Sequence, residues 1–335
     1  MGELIVAEHR ELGREFVVKL LHQRLSGDPQ LIDRVRVEAQ SLGRLNHPNI
    51  VSVVGFGYAA DGRPYIAMEY LRGRTLTEEL AARRLSAKES VAYARRILSA
   101  LGAAHALGIV HRDVKPDNIM LAERPEGTVL KVLDFGMALV LPGVSSGAPQ
   151  PLSFPTDTGV VVGTPRFVSP EAARGEDVDA RADLYSVGLV LFLMLAGRGP
   201  FDHLKGTDRL LSAQAESEPD LPSKFAAEPI PAELDAAVRK ALAKRPEDRH
   251  QSAEEFDREL EKVSELLTIR ESWPGGAAPQ GALPEGSGAG SHASDAALAR
   301  SQSNASAKLL GVFLLVSLLT TALVAGVVTA LLGAR

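Results

Sequence analysis

The sequence predicts an α+β fold of two lobes, a small antiparallel sheet lobe carrying one helix and then a larger helical lobe. Three observations predict it: apolar runs of strand length up to about Tyr70, a strong Asp61-Gly62 hairpin signal among them, and helical periodicity from Thr75 to about Leu267. With 335 residues, 45% of them hydrophobic, the chain can bury a substantial core.

Taken in order, Leu4 to Glu8 and Phe16 to Leu21 are apolar runs with charged residues between them, which suits a hairpin. Asp28-Pro29 supplies an N-cap and a first-turn proline. Leu31, Val35, Ala39 and Leu42 then recur at helical spacing, and the helix is expected to end near Leu45, before Asn46-His47-Pro48. Ile50 to Tyr58 and Pro64 to Leu71 flank the turn Ala60-Asp61-Gly62-Arg63. Beyond Thr75, Ser86 to Leu107 is amphipathic and Leu184 to Ala196 is an apolar run inside a helical pattern.

Residues 268–308 read as a flexible linker, with Gly, Ala, Ser and Pro dominating from Ser272 onward. Residues 309–332 form an uncharged apolar run, long enough as a helix to cross a hydrocarbon core of about 30 Å. The expectation is one transmembrane helix. Ala322, Gly326 and Ala330 lie four apart on it, a small-residue pattern that suits self-association of two such helices.

Composition removes several functions. The formal charge is -5, from 37 Lys+Arg against 42 Asp+Glu, so there is no basic excess for binding nucleic acid. The absence of cysteine excludes disulfides, thiolate metal sites and a thiol nucleophile. Met1 to Arg10 lacks the apolar core of a secretion signal, and Val6 stands where a myristoylation signal has Ser or Thr.

The chemistry-bearing residues are His111-Arg112-Asp113-Val114-Lys115-Pro116-Asp117-Asn118, then Asp134-Phe135-Gly136, then Ser169-Pro170-Glu171. These resemble the H-R-D-x-K-P-x-N, D-F-G and A-P-E motifs of eukaryotic-type (Hanks-type) serine/threonine protein kinases, in the family's order. The resemblance covers Met1 to about Leu267 and implies a two-lobed protein kinase fold over 1–267, with ATP and Mg2+ as cofactors.

Phosphoryl transfer needs positioning and charge neutralisation more than covalent help. By resemblance, Asp113 takes the proton of the substrate hydroxyl, Lys115 steadies the transferring phosphate, and Asn118 and Asp134 hold the magnesium ions. Lys19, in Val17-Val18-Lys19, resembles the lysine that contacts the ATP phosphates, with Glu38 as its partner. The backbone of Glu69 and Leu71 is expected to bind adenine, between apolar walls supplied by Leu4 and Met120. His111 and Phe135 are expected to pack in a hydrophobic column. Asp183 resembles the aspartate that holds the catalytic loop, and Arg249 is expected to pair with Glu171. Arg112 resembles the arginine that meets a phosphate on the activation segment, here residues 137–162, with Thr156 and Thr158 as candidate autophosphorylation sites. Thr164 is expected near Asp113 and Lys115.

Two departures stand out. Met1-Gly2-Glu3-Leu4 matches only the last part of the family's G-x-G-x-x-G-x-V loop, so Met1 reads as an internal methionine taken as a start, and the chain as written is expected to bind ATP weakly. Val17 replaces a usual alanine beside the adenine. The resulting expectation is a membrane-anchored bacterial kinase acting on Ser and Thr of proteins. Arg300 and Lys308 before the span, and the need for cytosolic ATP, place its kinase segment in the cytoplasm. Only Gly333-Ala334-Arg335 follow the span, so no outside sensor domain is expected. One alternative is an impaired pseudokinase serving as a membrane-tethered binding module. A related small-molecule phosphotransferase is disfavoured, because it is expected to carry H-G-D in place of His111-Arg112-Asp113.

Overall fold

The computed structural model describes residues 3–9, 13–21, 29–135 and 165–272. All belong to a unit spanning Met1–Gly275. The part of the expected linker 268–308 beyond residue 272, the apolar run 309–332 and residues 136–164, including Thr156, Thr158 and Thr164, lie outside the described residues. No helix among the described residues is long and apolar enough to cross a membrane.

The first lobe has the expected hairpin, β1 (Glu3–His9) against β2 (Arg14–Leu20), then α1 (Pro29–Arg44) and a second hairpin, β3 (Val53–Tyr58) and β4 (Pro64–Glu69). The strands form one antiparallel sheet in the order β1-β2-β4-β3. The Asp-Gly turn joins β3 to β4 as expected: Gly62 has φ +81°, and the Asp61 carboxylate accepts from the Arg63 amide at 3.1 Å. Pro29 opens α1, where a missing N–H costs nothing.

Strand β3 starts later than the apolar run from Ile50 suggests, because Asn49 to Val51 are claimed by the second lobe. The Val51 amide donates to the Val132 carbonyl at 3.0 Å and the Val132 amide to the Asn49 carbonyl at 2.8 Å. The Asn49 side chain adds a bond to the Leu130 carbonyl at 2.8 Å.

The second lobe is mostly helical, but it also contains a three-stranded antiparallel sheet that helical periodicity does not reveal. Its strands, in spatial order, are β5 (Gly73–Thr75), β6 (Ile119–Arg124) and β7 (Gly127–Val132). Both α2 (Leu76–Ala82) and α3 (Ala87–His105) lie between β5 and β6 in the chain. Thr75 with Glu78 and Ser86 with Glu89 form capping boxes at the starts of α2 and α3, satisfying amides that a helix start leaves unpaired. Further along come α4 (Pro170–Arg174), α5 (Ala180–Ala196), α6 (Thr207–Glu216), α7 (Ala232–Ala241) and α8 (Ala253–Ser272). Helix α8 continues past Leu267, where the sequence reading ended the domain and began the linker. Helix α5 is buried on nearly every side and runs through the main hydrophobic core, with α3 and α7 packed against it and α8 packed in turn on α3 and α7.

Candidate active site

The loop 111–118 joins α3 to β6. Its backbone is strained at one point: Arg112 has φ +65°, a left-handed conformation that side chains disfavour by roughly 1–2 kcal/mol. Asp183, on the first turn of α5, holds that conformation from below. Its carboxylate accepts from the amides of His111 and Arg112, both at 2.8 Å, and bonds the His105 ring at 2.8 Å. Asp183 therefore sits where the sequence expected it. His105 was missed, since nothing local marks a histidine at the end of α3 as a partner for a residue 78 positions away.

Above this support, three expected residues come together. The Asp113 Oδ2 atom accepts from Lys115 Nζ at 2.7 Å and from Asn118 Nδ2 at 2.9 Å, and Asn118 Nδ2 also donates to the Asp113 carbonyl at 2.8 Å. Lys115 and Asn118 are buried, while the Asp113 side chain is 38% exposed, so its carboxylate is anchored on one side and open on the other. The Leu133 amide donates to the Asn118 carbonyl at 2.8 Å, which brings Asp134 beside this group. Asp134, like Arg112, has a left-handed backbone, at φ +57°, and its carboxylate lies 3.0 Å from Lys19 Nζ on β2. The structure thus gathers Lys19, Asp113, Lys115, Asn118 and Asp134 at the join of the two sheets. The side chain of Glu38, the expected partner of Lys19, lies outside the described residues.

His111 and Phe135 are both buried, with ring centroids 4.7 Å apart, as expected of packing residues. Leu42 of α1 and Met68 of β4 line the same small recess as Phe135, so the column reaches into the first lobe.

The residues expected to wall the adenine are Leu4, on β1, and Met120, on β6. Leu4 is directly across the β1–β2 pair from Lys19, hence on the same face of the sheet, and it is exposed. Val17 and Met120 are half-buried against the cluster formed by Met68, Leu71, Val51 and Ala122. The Glu69 side chain has partners of its own. Its carboxylate accepts from Lys131 Nζ and the Ser52 amide, each at 2.9 Å, and from Arg124 at 2.7 Å. Burial pushes this carboxyl up, but the bonds from Lys131 and Ser52 and the charges of Lys131 and Arg124 outweigh burial and hold it below the ordinary range. Lys131 and Arg124, on β7 and β6, were not anticipated; Lys131 is a buried lysine that also donates to the Ile50 carbonyl at 2.9 Å.

Farther down, Arg249 meets Glu171 as expected, through two bonds of 2.8 and 2.7 Å, with both side chains almost fully buried.

Comparison with known proteins agrees with this arrangement. The family model described as "Protein kinase domain" matches residues 1–259. Serine/threonine-protein kinase pkn3 of Myxococcus xanthus is 37% identical over 276 residues, which cover 82% of this chain and 50% of that protein. PknB of Mycobacterium tuberculosis is 39% identical over 267 residues, covering 78% and 41%. The crystal structure of the Mycobacterium tuberculosis PknI kinase domain superposes with a TM-score of 0.59 at 28% identity, over 78% of this chain and 91% of that one. Rad53 in complex with AMP-PNP gives a TM-score of 0.61 at 26% identity, over 77% and 61%. The chain spans half or less of the length of these curated relatives. By its sequence, its two-lobed fold and the family model that matches most of it, the chain belongs to the protein kinase domain family.

Proposed function

We propose that the chain is a serine/threonine protein kinase that transfers the γ-phosphoryl group of ATP to Ser or Thr hydroxyls of proteins. The observation that supports this best is the convergence of Lys115 and Asn118 on one oxygen of Asp113, beside the Lys19–Asp134 pair. Asp113 Oδ1 has no partner among the described residues and is the atom available to a substrate hydroxyl. As the hydroxyl oxygen bonds to the γ-phosphorus and the bond to the bridging oxygen of ADP breaks, the proton passes to Asp113 and ADP leaves with the electron pair. Lys115 offsets negative charge on the transferring group. Lys19 is the cation for the ATP phosphates, and the main chain of Glu69 and Leu71, between Leu4 and Met120, takes the adenine.

The donor set suits Mg2+, which binds hard oxygen ligands. With its amide nitrogen committed to Asp113, Asn118 has its amide oxygen left for a cation, and Asp134 adds a carboxylate. When bound, the metal neutralises phosphate charge. The Nε atom of Arg112 is buried without a hydrogen-bond partner among the described residues, which supports its assignment to a phosphate on the segment 137–162.

The membrane reading belongs to the same proposal: residues 309–332 anchor the chain in the cell membrane by one span, with the kinase domain on the cytoplasmic side, and self-association runs through that span. The uncharged composition of the run supports it. Transfer of labelled phosphate from ATP and magnesium tests the activity. Label that appears with the chain and disappears with Asp113→Asn supports the kinase; equal label on both variants refutes the role of Asp113. Release of the chain from membranes by alkaline carbonate without detergent refutes the span.

A further inference from the structure

Residues 165–167 form one turn of 3-10 helix just ahead of α4, and none of the three is buried. A turn this short does not hold itself. Its carbonyls are held by distant side chains: Gln214 Nε2, on α6, donates to the Arg166 carbonyl at 2.8 Å, and Ser186 Oγ, on α5, donates to the Phe167 carbonyl at 2.9 Å.

The Gln214 bond is the end of a directed chain. Gln214 is 1% exposed, so its amide has no water to turn to, and which end faces Arg166 is set by its other neighbour. That neighbour is Tyr185 on α5, fully buried, whose hydroxyl donates to Gln214 Oε1 at 2.8 Å. The Tyr185 oxygen in turn accepts from Lys244 Nζ at 3.1 Å. An ammonium only donates, so polarity is fixed from Lys244 through Tyr185 and Gln214 to the Arg166 carbonyl. Lys244 also donates to the Gln214 carbonyl at 3.0 Å, holding the end of α6. The Arg166 side chain is pinned separately, by an ion pair with Asp202, which also accepts from the Gly199 amide at 2.6 Å.

One helix anchors both sides of the reaction. Asp183 of α5 holds the loop that carries Asp113, and Tyr185 and Ser186, within the same turn of α5, hold the turn at 165–167. We propose that Tyr185, Gln214 and Lys244 are positioning residues for the protein substrate: their hydrogen-bond chain fixes the main chain at Arg166 in register with Asp113. This rests on the kinase reading and goes beyond it by assigning substrate placement to three residues that touch no reacting atom.

The test compares the full chain with Tyr185→Phe, Gln214→Glu and Gln214→Leu. The first readout is steady-state transfer to a Ser/Thr peptide selected from a library with the unaltered chain, and the second is hydrogen exchange of the amides of residues 166–169. Tyr185→Phe removes the donor that orients Gln214. Gln214→Glu keeps an acceptor for Tyr185 but loses the donor to Arg166. Both are expected to raise the peptide KM about fivefold, the worth of one buried hydrogen bond, with kcat and the ATP KM within about twofold. Exchange at 166–169 is expected to speed up while that of α5 stays the same. If the amide merely braces α6 against Tyr185, Gln214→Glu behaves like the parent while Gln214→Leu does not, and that result overturns the proposal. So do equal shifts in ATP and peptide KM, or unchanged exchange at 166–169. A parent chain that transfers no phosphate counts against the kinase reading alone, and the exchange measurement still decides the placement.

Discussion

Arg249 offers the sharpest test of what holds the second lobe together. Its side chain has no exposure and that of Glu171 only 4%. The guanidinium donates to both carboxylate oxygens of Glu171, at 2.8 and 2.7 Å, and to the carbonyls of Ala243, Arg181 and Lys244, at 2.8, 3.2 and 3.1 Å. All five of its N–H groups are therefore used, and its plane lies over the Tyr185 ring at 4.9 Å. Replacing it by methionine strands a buried carboxylate, at a cost of about 3–5 kcal/mol. It also removes the donor from three carbonyls, which adds on the order of 1 kcal/mol each where water cannot enter. Against a total stability of about 5–15 kcal/mol, Arg249→Met is expected to leave the domain marginal.

The double variant Arg249→Met with Glu171→Met removes the stranded charge but not the stranded carbonyls, so it recovers part of the loss. The coupling between the two sites is expected to be at least about 2 kcal/mol. Thermal unfolding followed by circular dichroism, in one detergent for all variants, reads this directly. At about 2–4 °C per kcal/mol for a domain of this size, a loss of 4 kcal/mol lowers Tm by about 8–16 °C. Single losses that simply add up in the double variant, to within about 0.5 kcal/mol, show that the two side chains act independently and refute the argument.

Three further outcomes follow from the same geometry. Lys115→Met removes the cation beside Asp113 and is expected to lower kcat about 100-fold with little change in Tm, read by phosphate transfer at saturating substrates. The Arg83 side chain holds the half-buried Glu89 carboxyl at about 2, helped by the Ser86 cap, so its contribution is complete above pH 4.5 and lost as pH falls toward 2. Glu89→Gln therefore flattens the acid side of the Tm profile between those limits, and an unchanged slope contradicts the assignment. Burial pushes Lys244 down to about 8 from 10.5, so its charge opposes folding below pH 8 and the opposition fades toward 10.5. Stability is expected to rise with pH across that window, and Lys244→Met removes the rise.

The part of the site legible in the sequence is the part built from near neighbours. Asp113, Lys115 and Asn118 lie within one short loop, so their order along the chain already implies their meeting in space. Asp134 follows two residues past the end of the β6–β7 hairpin, and Asp61-Gly62 reports its own turn through glycine's freedom at φ +81°. Lys19, Asp183 and Arg249 were placed through family resemblance, because no spacing links Arg249 to a glutamate 78 positions earlier. Strands β6 and β7 lie within a stretch that reads as helical, and β5 lies at its edge. In β7 the adjacent residues Leu130, Lys131 and Val132 are all buried, so the period-two alternation that marks a half-exposed strand is absent, and β5 is only three residues long.

What the sequence did not show has a common cause. His105, Lys131, Tyr185, Gln214 and Lys244 carry no motif, since each gains its role from a carbonyl or carboxylate delivered by a different element. Lys131 reads as an ordinary strand lysine until the fold sets Glu69 and the Ile50 carbonyl around its ammonium. Such residues touch no reacting atom, and their loss acts through the backbone they hold. Substitution of the local group then falls on kcat, whereas substitution of a distant support falls on stability and on the step served by the backbone it holds. The strained backbone at Arg112 shows how the two groups depend on each other: φ +65° persists because Asp183 accepts both the His111 and Arg112 amides. Asp183→Asn leaves one oxygen where the carboxylate had two, so it is expected to relax the loop and lower kcat even though residue 183 contacts no substrate.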